Sequence, residues 1–165
     1  MDNRGYRQCV RVIIQKEDKI LLCNKFINKK FVGYVFPGGG IEGYSTVNET
    51  VIQECLEEVG ILVNHVRPLG VDFHYDAKFS KPERAYLYRG NNDNWQLCDY
   101  VREDERQFNT EGDGMSYQWV TPEKAVSLIA KDQSDKVYVP MRMQALRRLI
   151  ELRKELLRTL IIQGW

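Results

Sequence analysis

The chain has 165 residues, of which 43% are hydrophobic and 28% are charged, a balance typical of one globular domain with its own core. The formal net charge of +1 gives no overall electrostatic case for binding nucleic acid or a membrane. The N-terminus, MDNRGYRQ, lacks the apolar core of a signal peptide, and no apolar run is long enough for a membrane span. Three of the four cysteines fall in apolar patterns, so we expect a single cytoplasmic domain over residues 1–165 with reduced cysteines.

The first third of the chain predicts the start of a sheet. Val10, Val12 and Ile14 alternate with polar residues, which is the period of a half-buried strand. The predicted elements are a strand over 8–15, a returning strand over 19–24, a basic loop over 25–33 and a short strand over 34–36. The basic loop is open to two interpretations, a solvated loop or a contact to phosphate.

The rest of the chain predicts further strands and helices in alternation. Thr121 followed by Pro122 fits an N-cap and the first helical position. The predicted elements are strands over 69–75 and 84–89, a turn or surface loop over 90–95, an acidic segment over 99–113, a closing strand over 117–120 and a final helix over about 140–162. Strands with interleaved helices predict an α/β fold with a mixed sheet.

A glycine-rich turn, FPGGG at 36–40, precedes the most strongly patterned helix of the sequence. Glycine permits tight turns and close approach of the backbone to a ligand. Thr46 and Glu49 fit a capping box at the start of the helix, and Gly60 fits the position just after its end. A stripe of apolar residues every four positions predicts that the back of this helix is buried.

Three glutamates occupy the other face of this helix. Glu54, Glu57 and Glu58 have the i, i+3, i+4 spacing that places side chains together. Like charges at this spacing destabilise a helix, whereas a cation would reverse the sign of the interaction. Carboxylate oxygens are the ligands that Mg²⁺ prefers, so the pattern indicates either a metal site or a solvated acidic face.

The stretch from Gly39 to Ile61 resembles the signature of the Nudix hydrolases, G-x5-E-x7-R-E-U-x-E-E-x-G-U, where U is a bulky apolar residue. The glutamates of the helix and the closing Gly60-Ile61 match in register. Two positions depart from the signature, because Ser45 replaces its first Glu and Gln53 replaces its Arg. In the family these two side chains pair, so we expect Ser45 and Gln53 to meet through a hydrogen bond and to keep the loop in place.

The resemblance implies a Nudix-type α/β/α sandwich and a Mg²⁺-dependent enzyme, with Mn²⁺ as a substitute, that cuts a nucleoside diphosphate linked to a second moiety. It implies that the carbonyl of Gly38 and the carboxylates of Glu54, Glu57 and Glu58 hold the metal. A further acid downstream serves as ligand or general base, and we select Glu111. Its rivals are Glu103, Glu105 and Asp113.

The substrate is a nucleotide-type small molecule whose identity the sequence does not select. Candidates are a nucleoside triphosphate, a dinucleoside polyphosphate and a nucleotide sugar. The aromatic residues that could stack on the base are Phe26, Phe31, Tyr34, Tyr75 and Tyr138, and His74 is a weaker candidate for contact. The alternative, favoured by Ser45 and Gln53, is a nucleotide-binding or sensor module of the same fold with weakened catalysis.

The C-terminal helix carries more apolar surface than one domain needs to cover. Residues 141–158 include six basic and two acidic residues, and leucines and isoleucines continue to Ile161. This pattern predicts either a homodimer or partner contact, or packing on the sheet of the same chain.

Overall fold

The computed structural model describes residues 1–104, 115–132 and 138–164. The strands are β1 (Gly5–Lys16), β2 (Lys19–Ile27), β3 (Lys30–Val35), β4 (Gly38–Gly40), β5 (Ile61–Asp76), β6 (Tyr88–Glu103) and β7 (Met115–Val120). The helices are α1 (Val47–Val59), α2 (Pro82–Leu87), α3 (Pro122–Ala130) and α4 (Tyr138–Ile162). The strands form one mixed sheet in the order β3-β2-β1-β6-β5, with β4 paired to β1 and β7 paired to β2.

Two hairpins open the fold. The predicted hairpin of β1 and β2 is present, with Glu17 in the left-handed conformation at its turn. The prediction of a basic loop over 25–33 is wrong, because β2 continues to Ile27 and β3 begins at Lys30. Asn28 and Lys29 both have positive φ, which gives the two-residue turn that matches the twist of paired strands.

The connection between β5 and β6 also differs from the sequence prediction. Residues 84–89 were expected to form a strand, but Pro82 starts the short helix α2, with proline at a position where its missing N–H costs nothing. Residues 90–95, expected to form a turn or surface loop, lie in the middle of the 16-residue strand β6. This strand pairs parallel to β1 on one side and antiparallel to β5 on the other.

The sheet has a core on each face, as the sandwich prediction required. Val10, Val12 and Ile14 point to the face covered by α1, where Val51 and Cys55 are buried. The opposite face packs against α3 and α4 through a second cluster of buried residues, which includes Ile13, Leu22, Trp95, Leu97, Ile129 and Leu146. All four cysteines are buried and free.

The C-terminal elements close the second face. Thr121 caps α3 by accepting a hydrogen bond from the Lys124 amide at 3.2 Å, as predicted. The first half of α4 packs on the sheet, and from Lys154 to Gly164 every residue is exposed. No helix in the described parts of the chain is long and apolar enough to cross a membrane.

Candidate functional site

Helix α1 presents the acidic face of the site. The Thr46 side chain accepts a hydrogen bond from the Glu49 amide at 3.1 Å, and Gly60 ends the helix in the left-handed conformation. Both caps agree with the sequence prediction. Val51, Cys55 and Val59 are buried behind the helix, so its packing fixes which face carries the glutamates.

Glu54 and Glu58, here called the acidic pair, lie together and share a hydrogen bond. Burial and the neighbouring Glu54 raise the pKa of Glu58 to about 8, although the Gly38 amide bonds to it and opposes the shift. Burial also raises the pKa of Glu54. The acidic pair therefore retains a proton in neutral solution unless a cation takes its place.

The glycine turn brings the backbone directly against charged side chains. A Cβ at Gly39 would overlap the Glu54 carboxylate, and a Cβ at Gly40 would overlap the Arg7 guanidinium. A side chain at either position would displace the charged group beside it. Pairing of β4 with β1 fixes the position of this glycine turn.

Glu57 lies on the same helix face as the acidic pair, where its charge helps to raise the pKa of Glu54. It is exposed, and its carboxylate accepts a hydrogen bond from Gln53 Nε2 at 2.8 Å. Within residues 1–104, 115–132 and 138–164, no three acidic, histidine or cysteine side chains converge closely enough to hold a metal ion. The structure thus brings two of the predicted ligands together, while the third is an exposed side chain on the same helix face.

The loop before α1 is anchored by a residue that the sequence reasoning missed. Glu42 accepts hydrogen bonds from Arg7 at 2.7 Å and from Arg84 at 3.3 Å, and the hydrogen bond from Arg7 lowers its pKa. The Gln53 side chain donates to Glu57 rather than to Ser45. The sequence did contain a signal for this anchor, because Glu42 is an acid only three residues before Ser45, where the signature has its first Glu.

A cavity of about 500 Å³, here called the main cavity, adjoins the acidic pair at Glu58. Its polar wall is a triad of Arg11, Asp93 and Tyr75. The Arg11 Nε donates to Asp93 Oδ2 at 3.2 Å, and the Tyr75 hydroxyl donates to the same oxygen at 3.0 Å. Burial and the charge of Asp93 raise the pKa of Tyr75 to about 12, so the phenol stays protonated and remains a donor.

The charges of this triad compensate each other within the triad. Burial alone would lower the pKa of Arg11, but Asp93 and Tyr75 outweigh that effect and raise the pKa above its usual value. The Asp93 side chain is only 5% exposed, which makes Arg11 its compensating charge.

The structure separates the aromatic candidates into two groups. Phe26, Tyr75 and Tyr138 line the main cavity. Phe31 and Tyr34 form an edge-to-face pair beside Phe26 and are not part of the cavity lining.

Neither histidine reaches the site. His74 is exposed on β5, with its ring 5.2 Å from that of Tyr6. His65 is exposed on the same strand and lies 3.0 Å from Asp99.

The predicted downstream acid and two of its three rivals fall in the same segment of the chain. Glu111, with its rivals Glu105 and Asp113, lies outside the described residues. Glu103 is exposed at the end of β6, where it accepts a hydrogen bond from the Tyr117 hydroxyl at 3.1 Å. Glu111 therefore remains a prediction.

Asp93 and Trp95, like Arg11, are cavity residues that the sequence analysis missed. Both fall in the segment GNNDNW, which was expected to be a surface loop. The available signal was the alternation of Asp93, Trp95 and Leu97, which continues into the apolar part of β6.

Comparisons with known proteins agree with this architecture. Residues 5–141 match the NUDIX domain. An RNA pyrophosphohydrolase of Zymomonas mobilis is 29% identical over 140 residues, covering 78% of this chain and 88% of the relative. An RNA pyrophosphohydrolase of Psychromonas ingrahamii is 28% identical over 132 residues, covering 73% of this chain and 71% of the relative.

Solved structures share the fold at low sequence identity. A Nudix hydrolase from Nitrosomonas europaea superposes with a TM-score of 0.65 at 17% identity, covering 89% of this chain and 90% of that one. An ADP compounds hydrolase gives a TM-score of 0.67 at 17% identity, covering 93% and 76%. A UDP-X diphosphatase gives 0.62 at 15% identity, covering 93% and 66%.

Proposed function

Because the chain belongs to the Nudix family, whose members hydrolyse phosphoanhydride bonds, we propose that it is a Mg²⁺-dependent pyrophosphohydrolase that cleaves a nucleoside diphosphate linked to a second moiety. The products are a nucleoside monophosphate and a phosphorylated second product. The observation that carries the proposal is the acidic pair, held by α1 against the glycine turn at the rim of the main cavity.

The residues at the turn fit a divalent cation. Two half-buried carboxylates that share a proton form a hard oxygen donor set in need of positive charge. Glu54, Glu57 and Glu58, with the Gly38 carbonyl and Glu111, would hold it. Glu57 is free to join because it is exposed and the hydrogen bond to Gln53 is worth only about 1 kcal/mol. When bound, such ions neutralise charge on the phosphates and acidify the attacking water.

The side chains of this chain perform the remaining tasks. Arg7 and Arg84 lie on one side of the acidic pair in a groove that Gln53 and Glu57 also line, and Lys25 lies in the main cavity on the other. A polyphosphate passing the acidic pair would meet positive charge on both sides, which holds its phosphorus in place for attack. Glu111 is proposed as the further acid that takes the proton of the water.

The substrate class remains a nucleoside triphosphate, a dinucleoside polyphosphate or a nucleotide sugar. The similarity to RNA pyrophosphohydrolases adds one more compound to the panel, an RNA that carries a phosphoanhydride bond. The test is to incubate the chain with each compound, with and without Mg²⁺, and to separate the products by chromatography. We expect Mg²⁺-dependent release of a monophosphate.

The alternative is a nucleotide-binding or sensor module, which Ser45 and Gln53 favour. Nucleotide binding without cleavage of any compound in Mg²⁺ or Mn²⁺ would support that alternative and contradict the proposed enzyme. The variant Glu58→Gln, measured in parallel, distinguishes turnover by this chain from a contaminating activity.

We also propose a cytoplasmic location and self-association through α4. Cys55 and Cys98 lie within hydrogen-bonding reach of each other but form no disulfide, which fits a reducing compartment. The exposed end of α4 carries Leu156, Leu157 and Ile161, each about 60% exposed. A second copy would cover this stripe. Light scattering at high micromolar concentration should give a dimer mass, and a monomer would refute the association.

A further inference from the structure

Two buried polar atoms of β6 lack a hydrogen-bond partner among the described residues. They are Asp93 Oδ1, an acceptor, and Trp95 Nε1, a donor. The two residues are 4% and 3% exposed, and both belong to the lining of the main cavity. Buried polar atoms are nearly always paired, so each such orphan needs an explanation. A ligand in the cavity that offers a donor and an acceptor would satisfy both.

The strand fixes the relation of these two atoms. Residues two apart on a strand point to the same face, so Asp93 and Trp95 project into the same cavity. The other oxygen of Asp93 is already occupied by Arg11 and Tyr75, which hold the carboxylate in one orientation. Asp93 and Trp95 therefore contribute an acceptor-only oxygen and an N–H donor to one wall of the cavity. Both atoms are covered by their neighbours, which must therefore shift when a ligand enters.

The rest of the cavity suits a flat heteroaromatic ring. Its volume of about 500 Å³ lies within the range of pockets for small ligands. Phe26, Phe36 and Tyr138 supply aromatic surfaces, and Met115 and Met141 supply apolar ones. Glu58 links this cavity to the acidic pair, which is the direction in which the phosphates of a bound nucleotide would lie.

On the premise of the proposed function, we propose that the main cavity binds guanine, with Asp93 Oδ1 accepting from N1–H and the 2-amino group and Trp95 Nε1 donating to O6. Guanine presents two adjacent donors beside an acceptor on one edge. Adenine and cytosine present a ring acceptor next to their amino group, and uracil presents a single donor between two acceptors. A carboxylate oxygen with two lone pairs discriminates against each of those edges.

The test uses monophosphates, because every substrate of the proposed class contains one. Calorimetric titration of the full chain with GMP, IMP, AMP, CMP and UMP reports base selection without cleavage. We expect GMP to bind at least roughly tenfold more tightly than AMP, CMP and UMP, since two hydrogen bonds to a charged acceptor are at stake. IMP lacks the 2-amino group and should fall between GMP and AMP.

A conservative variant tests the donor separately. Trp95→Phe keeps an aromatic ring and removes the N–H, so GMP affinity should fall by about three- to tenfold while AMP affinity changes little. Trp119→Phe is the matched control, since Trp119 lies on β7 in the other core cluster. Asp93→Asn should abolish the preference for guanine, but its outcome is used only if the variant keeps a cooperative melting transition.

The outcomes separate this inference from the function on which it rests. Equal affinities for the five monophosphates, or no GMP binding at millimolar concentration, would overturn the guanine assignment even if hydrolysis is observed. A clear preference for GMP in a chain that cleaves no nucleotide would uphold the assignment and refute the proposed enzyme.

Discussion

The acidic pair on α1 and the triad on the sheet both bury charge, but they balance it in opposite ways. Glu54 and Glu58 are like charges, and burial holds a proton on them. Arg11 and Asp93 are opposite charges that compensate each other, with Tyr75 completing the network. The acidic pair needs a cation from solution to balance its charge, which suits a metal-dependent catalytic site. The triad has its charges and hydrogen bonds satisfied apart from one carboxylate oxygen of Asp93, which suits the recognition of a ligand.

The largest expected effect is on turnover in the first region. Glu58→Gln keeps the shape of the side chain and removes its charge, so turnover should fall by two or more orders of magnitude, as removal of a key electrostatic group does. Glu57→Gln should also lower turnover. Both are measured as Mg²⁺-dependent hydrolysis of whichever nucleotide the parent cleaves.

The control for that experiment is Glu49→Gln on the same helix. Glutamine serves as well as glutamate at this position of a capping box, so activity should remain near that of the parent. A loss below tenfold in both Glu57→Gln and Glu58→Gln would contradict their assigned roles.

The second effect is on stability in the triad. Asp93→Asn leaves the Arg11 guanidinium without its counter-charge in a mostly buried position, which should cost about 2–4 kcal/mol of unfolding free energy. Asp99→Asn is the matched control, because Asp99 lies on the same strand but its contacts with His65 and Arg67 are substantially exposed. That change should cost below about 1 kcal/mol. Equal losses of unfolding free energy in the two variants, measured by urea denaturation, would contradict the claim that the Arg11–Asp93 pair is a buried, compensated charge pair.

The third effect is a pH dependence that distinguishes the acidic pair from the triad. The folded state raises the pKa of Glu58 to about 8, from an ordinary value of 4.5. The stability contributed by its bound proton is therefore complete below about pH 4.5 and is lost as the pH rises through 8. Without metal, Glu58→Gln should flatten the fall of melting temperature across this range.

Magnesium should reverse that trend. A cation binds the ionised pair, so millimolar Mg²⁺ should raise the melting temperature more at pH 8 than at pH 6. An unchanged melting temperature in both Mg²⁺ and Mn²⁺ would show that the site is weak or absent.

The smallest effect concerns the two departures from the family signature. Ser45 and Gln53 line the same groove beside Arg7, although Gln53 bonds to Glu57. Ser45→Glu alone should lower stability and turnover by adding an acid near the acidic pair. Gln53→Arg alone should lower them or change them little, because its partner is absent. The double variant should recover, with a favourable coupling of at least about 0.5 kcal/mol in a double-mutant cycle. Additive effects would show that the two positions do not interact.

The sequence by itself determined the parts of this protein whose signals are local. The caps at Thr46 and Gly60, the apolar back of α1 and the spacing of its glutamates all act within one helix, so their pattern predicts the observed helix. The fold class followed from the same kind of signal in the strands and from the resemblance of one 23-residue stretch to a known family.

Only the tertiary structure decided the centre of β6. The segment GNNDNW is rich in residues that favour turns, and taken alone it reads as a loop. In the fold, β1 and β5 pair with both of its edges, and Gln8 accepts hydrogen bonds from Asn92 and Asn94. Pairing with β5, and with β1 residues more than 80 positions away in sequence, thus outweighs the local preference and places Asp93 and Trp95 in the cavity.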